Sequence, residues 1–380
     1  MRRPATNGLT AEFGLLYTDE GSRVSDATPI SLPARGERLT LSRAASFRSS
    51  WLAPAAGVRR IGRLDPVRAA LAAPHPALWG LALAITLLDA VWLLRAGIAP
   101  EPFGFGVAAG LVLALMALAF LFGPVKSEPT LRAMALASAA LVAITLPIAV
   151  LHYLTATWAL PLADARLAGI EAALGFDWPG YLAFLEAHPD LARGLALAYH
   201  TSGPQVGLVV IVLAATRRLG RLWAFVRLFA VLLLAVVAIA AFLPAAGPFA
   251  HYGVTAFAPG SLETMGALWH LDALEHLRAG TLRTLALGDI RGLVTFPSFH
   301  VCLAALTAWA LAPVPVLGPV VIALNAVVMV ATLGAGGHYL PDLLAGGALS
   351  LLVIGGHAAL RRRRFARDPE LPARRPRYRG

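Results

Sequence analysis

Three ionisable side chains set in apolar surroundings could carry chemistry in this chain. His300 stands in TFPSFHVCLAALTAWAL, residues 295–311, and His338 and Asp342 stand in GAGGHYLPDLLAGG, residues 334–347. His338 and Asp342 are four residues apart, so a helical geometry puts the carboxylate within reach of the imidazole. A histidine held by a carboxylate has a fixed tautomer and raised basicity, and can act as a nucleophile. A second histidine opposite it can protonate a leaving oxygen. Pro297 and Ser298 are residues that open a helix, and free amides at a helix start favour a phosphate. Gly336 and Gly337 remove side chains where a bulky head group approaches. Phosphoryl transfer through a phosphohistidine, without an obligatory metal or other cofactor, is the chemistry this set suits.

The elements that must position these residues are membrane spans. Of the 380 residues 58% are hydrophobic and 14% charged, with mean hydropathy +0.70. A soluble domain carries about 25% charged residues, so the composition indicates an all-α integral membrane protein. Ionisable groups at membrane depth are costly, which makes a functional site the default reading of the three. A crossing helix needs about 20 apolar residues. Eight stretches qualify, near 76–97, 104–123, 131–158, 192–215, 222–245, 296–313, 316–335 and 341–360. The net charge of +11 sits in the tails and short loops, as in RRLGRLWAFVR at 217–227 and RRRRFAR at 361–367. That placement is a topology signal and does not point to a nucleic-acid partner; it puts both termini in the cytoplasm.

The expected organisation is a disordered basic tail over 1–75, two extra spans over 76–130, a six-helix core over 131–360 and a basic tail over 361–380. His300, His338 and Asp342 then converge at the extracytoplasmic face. The 31 arginines against one lysine read as the coding bias of a GC-rich bacterium, hence a bacterial inner membrane with the site toward the periplasm. Two long outer loops, 159–191 and 246–295, are expected to hold interfacial helices. Trp158, Trp178 and Trp269 are expected as interface anchors. The single cysteine, Cys302, is read as a small buried hydrophobe.

FPSFH followed 38 residues after its histidine by HYLPD resembles motifs two and three of the type-2 phosphatidic acid phosphatase superfamily. The FPS-x-H and GGHY-x-x-D-x-x-A-G forms are similar to its branch containing the inositol phosphorylceramide synthases. The resemblance implies a phosphatase-like core formed by the third to eighth spans. It implies His338 as nucleophile, Asp342 as its orienting partner and His300 as the acid. The substrate class implied is a lipid phosphate or phosphodiester, with water or an alcohol as acceptor. Two departures stand out. Where the superfamily has a Lys and Arg motif, this chain reads FLPAAGPFAHYG at 242–253, and where it has Ser-Arg before the third-motif histidine, this chain has Ala331 and Thr332.

A phosphate still needs positive partners. By position, Arg291 is the first choice and Arg278 the second, with Arg283 behind them. Ser298, Gly337, His200 and Tyr199 complete the expected substrate contacts, although Tyr199, His200 and Gln205 are equally placed to bond across helices around Pro204. His251 and Tyr252 are candidates to line the pocket. Three rivals use the same residues: a transporter with a His/Asp proton relay, an intramembrane protease using Ser298 and His338, and a metal site formed by His300, His338 and Asp342. The sequence leaves the oligomeric state open.

Overall fold

Prolines mark where the helices of this chain begin, because the ring presets the helical φ and the missing N–H is one of the donors left free there. The computed structural model describes residues 76–254, 268, 270–290, 292–293 and 295–367, with side chains through 363. The basic segment 1–75, Trp269, Arg291 and residues 368–380 lie outside these. Along the chain run α1 Pro76–Ala96, α2 Pro102–Phe120, α3 Pro129–Ala156, α4 Asp164–Ala173, α5 Trp178–Ala187 and α6 Pro189–His200. There follow α7 Ser202–Ala215, α8 Leu219–Phe242, the one-turn α9 Pro248–His251, α10 Leu271–Arg278, α11 Phe299–Leu311, α12 Leu317–Gly334 and α13 Leu340–Arg367. The N-cap carboxylate of Glu101 accepts from the amides of Phe103 and Gly104, which fixes the start of α2.

The architecture is all-α and fits an integral membrane protein. Among the described residues six helices are long and apolar enough to cross a membrane, and a seventh crossing arises if α6 and α7 are one bent span. All eight expected stretches are helical, but two are not simple crossings. The expected 192–215 span is broken at Thr201 by a 43° bend, where Pro204 removes a backbone donor from the first turn of α7. The expected 296–313 span is only 13 residues long, because Ser298 caps its start and Pro313 and Pro315 follow its end. At the other extreme α13 continues through Arg367, so residues 361–367, expected as tail, prolong the last helix.

The apolar core lies where α3, α7, α8 and α11 meet, with Leu136, Ile144, Leu213, Phe225, Leu232 and Leu306 buried. A buried polar tie crosses it: Asn325 Nδ2 of α12 donates to Gln205 Oε1 of α7 at 2.7 Å. Of the two roles open to Gln205, the structure therefore takes the bond across helices. The extra hairpin α1–α2 packs on α3. Its turn is tied to the loop before α11 by a two-residue parallel pair, Ala99–Pro100 with Thr284–Leu285.

The loop 159–191 is helical as expected, forming α4 and α5. One anchor assignment changes. Trp178 is fully buried, its Nε1 donates to the Leu333 carbonyl at 3.2 Å, and it stacks on Tyr252. It is a core residue joining α5 to the end of α12, since a buried indole N–H must find an acceptor. Trp158 is half exposed, as an interface residue would be. Cys302 is buried and its thiol donates to the Gly346 carbonyl at 3.3 Å.

Candidate active site

The backbone at the starts of α11 and α13 is locked together before any side chain is placed. The Ser298 amide donates to the Asp342 carbonyl at 3.1 Å. A Cβ on Gly346 would lie 2.6 Å from the Ser298 carbonyl, so the small residue at that position is what lets the two helices touch. Ser298 is the N-cap of α11 and its Oγ accepts from the Val301 amide at 3.4 Å. His300 therefore sits in the first turn of α11. On the other side, α12 ends at Gly334 and the chain turns through Gly337 at φ +61°. His338 and Tyr339 occupy that turn, and α13 begins at Leu340 with Pro341 in its first turn. His338 is thus just outside the helix while Asp342 is inside it.

The side chains then form a continuous array. His338 Nδ1 lies 3.2 Å from Asp342 Oδ2, and Ser298 Oγ lies 3.1 Å from His338 Nε2. Since Asp342 Oδ2 accepts from the Tyr339 amide as well, at 3.0 Å, the consistent assignment has Nδ1–H donating to the carboxylate and the serine hydroxyl donating to Nε2. The lone pair of Nε2 is the one a nucleophile needs. His338 is 2% exposed. Burial pushes its pKa down to about 4, against the Thr295 carbonyl, which favours the protonated ring. The neutral imidazole is therefore the form present at neutral pH.

His300 faces His338 with ring centroids 6.4 Å apart. Its Nδ1 lies 3.1 Å from the Tyr199 hydroxyl, and the two rings pack at 4.4 Å. Tyr199 comes from the last turn of α6, just before the Thr201 break, so the bend delivers this hydroxyl to His300. A Cβ on Gly336 would come within 2.9 Å of the His338 ring and 3.1 Å of the Tyr199 ring; the missing side chain is the space in which the two rings approach.

Behind this array lies a set of carboxylates that sequence reasoning missed. Asp164, at the start of α4, accepts from the amides of Ala246 and Gly247 at 2.9 and 2.8 Å and from the Tyr339 hydroxyl at 3.0 Å. The loop standing in place of the superfamily's Lys and Arg motif thus spends its amides on an internal carboxylate. Glu171, 1% exposed, accepts from the Leu340 amide at 2.6 Å and so caps α13. Burial raises its pKa above the ordinary value, with Asp342 and Asp177 adding to the rise and the Leu340 amide opposing it. Glu171 Oε1 and Asp342 Oδ1 are buried with no hydrogen-bond partner among the described residues. No local motif marks Asp164 or Glu171, because their partners are 82 to 175 residues away in sequence. Their only signal was an acidic pair on one short interfacial helix.

Of the expected site residues, the structure brings together His338, Asp342, His300, Ser298 and Tyr199. Gly337 supplies the turn, and its carbonyl abuts Gly247. His200 is exposed at the end of α6, its ring 5.9 Å from Tyr199. Tyr252 stacks on Trp178, and the ring of His251 lies 6.3 Å from Tyr339. Arg278 is not in the array: its Nη1 donates to the Leu160 carbonyl at 2.8 Å. It lines a small cavity with His152, Thr295 and Phe296, the last two lying immediately before the Pro297–Ser298 step. Among the described residues no three His, Cys, Asp or Glu side chains are grouped to hold a metal ion.

A family model described as PAP2 superfamily matches residues 165–356, about half of the chain. No curated protein and no solved structure matches it. The matched segment runs from α4 into α13 and includes every residue of the array.

Proposed function

The chain belongs to the PAP2 superfamily, and from that premise we propose a membrane enzyme that cleaves a lipid phosphate or phosphodiester through a phosphohistidine. The observation that carries the reading is the array Ser298–His338–Asp342, at 3.1 and 3.2 Å, with His300 opposite. In the first step His338 Nε2 attacks phosphorus. The N–P bond forms, the P–O bond to the lipid breaks, and protonated His300 gives its Nε2 proton to the leaving oxygen. Asp342 accepts Nδ1–H throughout and offsets the positive charge that develops on the His338 ring. In the second step an oxygen nucleophile attacks phosphorus, returns a proton to His300, and the N–P bond breaks.

The substrate phosphate would displace the Ser298 hydroxyl from Nε2 and meet the first-turn amides of α11, which take the part of the missing motif-one cations. Water as acceptor makes the enzyme a phosphatase, and an alcohol makes it a head-group transferase. The FPSFH and GGHYLPD forms, similar to the inositol phosphorylceramide synthase branch, favour transfer. The arginine-rich runs after α7 and at the end of α13 favour a site on the extracytoplasmic face of a bacterial inner membrane.

The experiment is phosphate release from a panel of lipid phosphates in detergent micelles with a chelator present, wild type beside His338→Ala, repeated with inositol, glycerol and ceramide as acceptors. Turnover by wild type alone in either arm supports the reading. Equal turnover by His338→Ala sinks it.

A further inference from the structure

A cleft of about 530 Å3 opens between the end of α1 and α10, away from the His338 array. Its lining divides by chemistry. Leu88, Val91 and Trp92 of α1 make an apolar wall, and Arg95 and Arg278 make a cationic rim beside His276. The volume is that of a small-ligand site. Leu88 and Val91 are half exposed, and Leu94 beside them is 82% exposed, so this side of α1 faces outward. Trp92 packs on Trp158 at 5.4 Å and Trp158 on Phe242 at 5.8 Å. This aromatic row joins the ends of α1, α3 and α8. Such rows mark the boundary between hydrocarbon and head groups, so the cleft opens at that level.

The two arginines differ in a useful way. Arg278 is half-buried and its guanidinium is held by the Leu160 carbonyl; Arg95 is exposed in the last turn of α1. One guanidinium held by a carbonyl and one exposed, over an apolar wall, match a phosphodiester whose chains continue into the bilayer. Of the two acids on α10, Asp272 lies 3.6 Å from His276. A free phosphate would make no use of Leu88, Val91 or Trp92.

We propose that this cleft binds the head-group phosphate of an anionic membrane phospholipid, with its acyl chains along Leu88 and Val91. The extra hairpin α1–α2 thereby supplies one wall of a lipid site. This binding is independent of the reaction at His338.

The test is native mass spectrometry of the full chain in a non-ionic detergent, titrated with phosphatidylglycerol or phosphatidylcholine. Wild type is expected to retain phosphatidylglycerol in preference, and Arg95→Glu to bind it about tenfold more weakly. Arg193→Glu, which changes an exposed charge on α6, should bind as wild type does. Val91→Trp, which fills the cleft without altering charge, should lose both lipids, and each variant must remain monodisperse. Unchanged binding by Arg95→Glu and Val91→Trp would overturn the proposal. So would equal loss in Arg193→Glu, or displacement of the lipid by millimolar inorganic phosphate alone, which would mark a free-anion site.

Discussion

The Tyr199 hydroxyl lies 3.1 Å from Nδ1 of His300, although the two residues are 101 positions apart. A tyrosine oxygen at that distance accepts from Nδ1–H whenever His300 is charged. In the proposed mechanism the proton exchanged is then the one on Nε2, in the acid half-reaction and in the base half-reaction alike.

Tyr199→Phe removes that acceptor while keeping the ring contact. A hydrogen bond to a charged group is worth about 1.5–3 kcal/mol, so kcat should fall by about tenfold to a hundredfold with little change in KM. Steady-state kinetics on one lipid phosphate separates this from a substrate-binding role, which would raise KM instead.

Asp342→Asn leaves the volume unchanged but no longer offsets the charge on the His338 ring. A loss of about 10²–10⁴ in kcat is expected, the range typical of a lost acid–base partner. His338→Ala should yield no trapped phosphoenzyme after acid-free quenching, whereas Asp342→Asn should still accumulate some, slowly.

Burial lowers the His338 pKa to about 4. In the proposed mechanism the neutral ring attacks, so the direction is fixed: activity should hold as pH drops below the ordinary histidine value and decline as pH falls through the lowered one. A profile of kcat/KM against pH, corrected for unfolding, checks this. An acid limb at or above pH 6.5 from this residue would contradict it.

Glu171 caps α13 through the Leu340 amide, yet burial raises its pKa, so its charge is held at a cost. The raised folded-state pKa means that this destabilisation grows as pH rises from the unfolded value through the folded one. Glu171→Gln keeps an acceptor without the charge and should be at least as stable as wild type at neutral pH. Glu171→Ala loses the cap and should cost about 1 kcal/mol. Thermal unfolding of the three proteins gives the order.

Gly336→Ala places a methyl 2.9 Å from the His338 ring and 2.7 Å from the Thr332 carbonyl. Both activity and stability should fall, because the methyl presses on the ring of His338, the proposed nucleophile, and on the backbone carbonyl of Thr332. Parallel activity and melting measurements separate the two effects.

The residues of the array were legible because each half is local in sequence. FPSFH places a cap and a histidine at a helix start, and HYLPD places a carboxylate four residues from an imidazole. Apolar length and proline placement likewise fixed where the helices run, since crossing a bilayer demands both. The end of α11 was legible in Pro313 and Pro315, although its 13 residues fall short of the crossing length that the apolar composition suggested. What was not legible was the bend at Thr201, which brings Tyr199 to His300. Arg278 shows the limit of position along the chain: it is close to FPSFH in sequence, but the Leu160 carbonyl holds it in another cavity. Asp164 and Glu171 were beyond reach for the same reason. A buried carboxylate is defined by the amides that satisfy it, and those amides come from segments that only the packed helices bring together. The sequence by itself determined which polar groups stand at the starts of α11 and α13. Only the tertiary structure decided which polar atoms face one another, because hydrogen-bond partners are chosen by packing across the bundle and not by spacing along it.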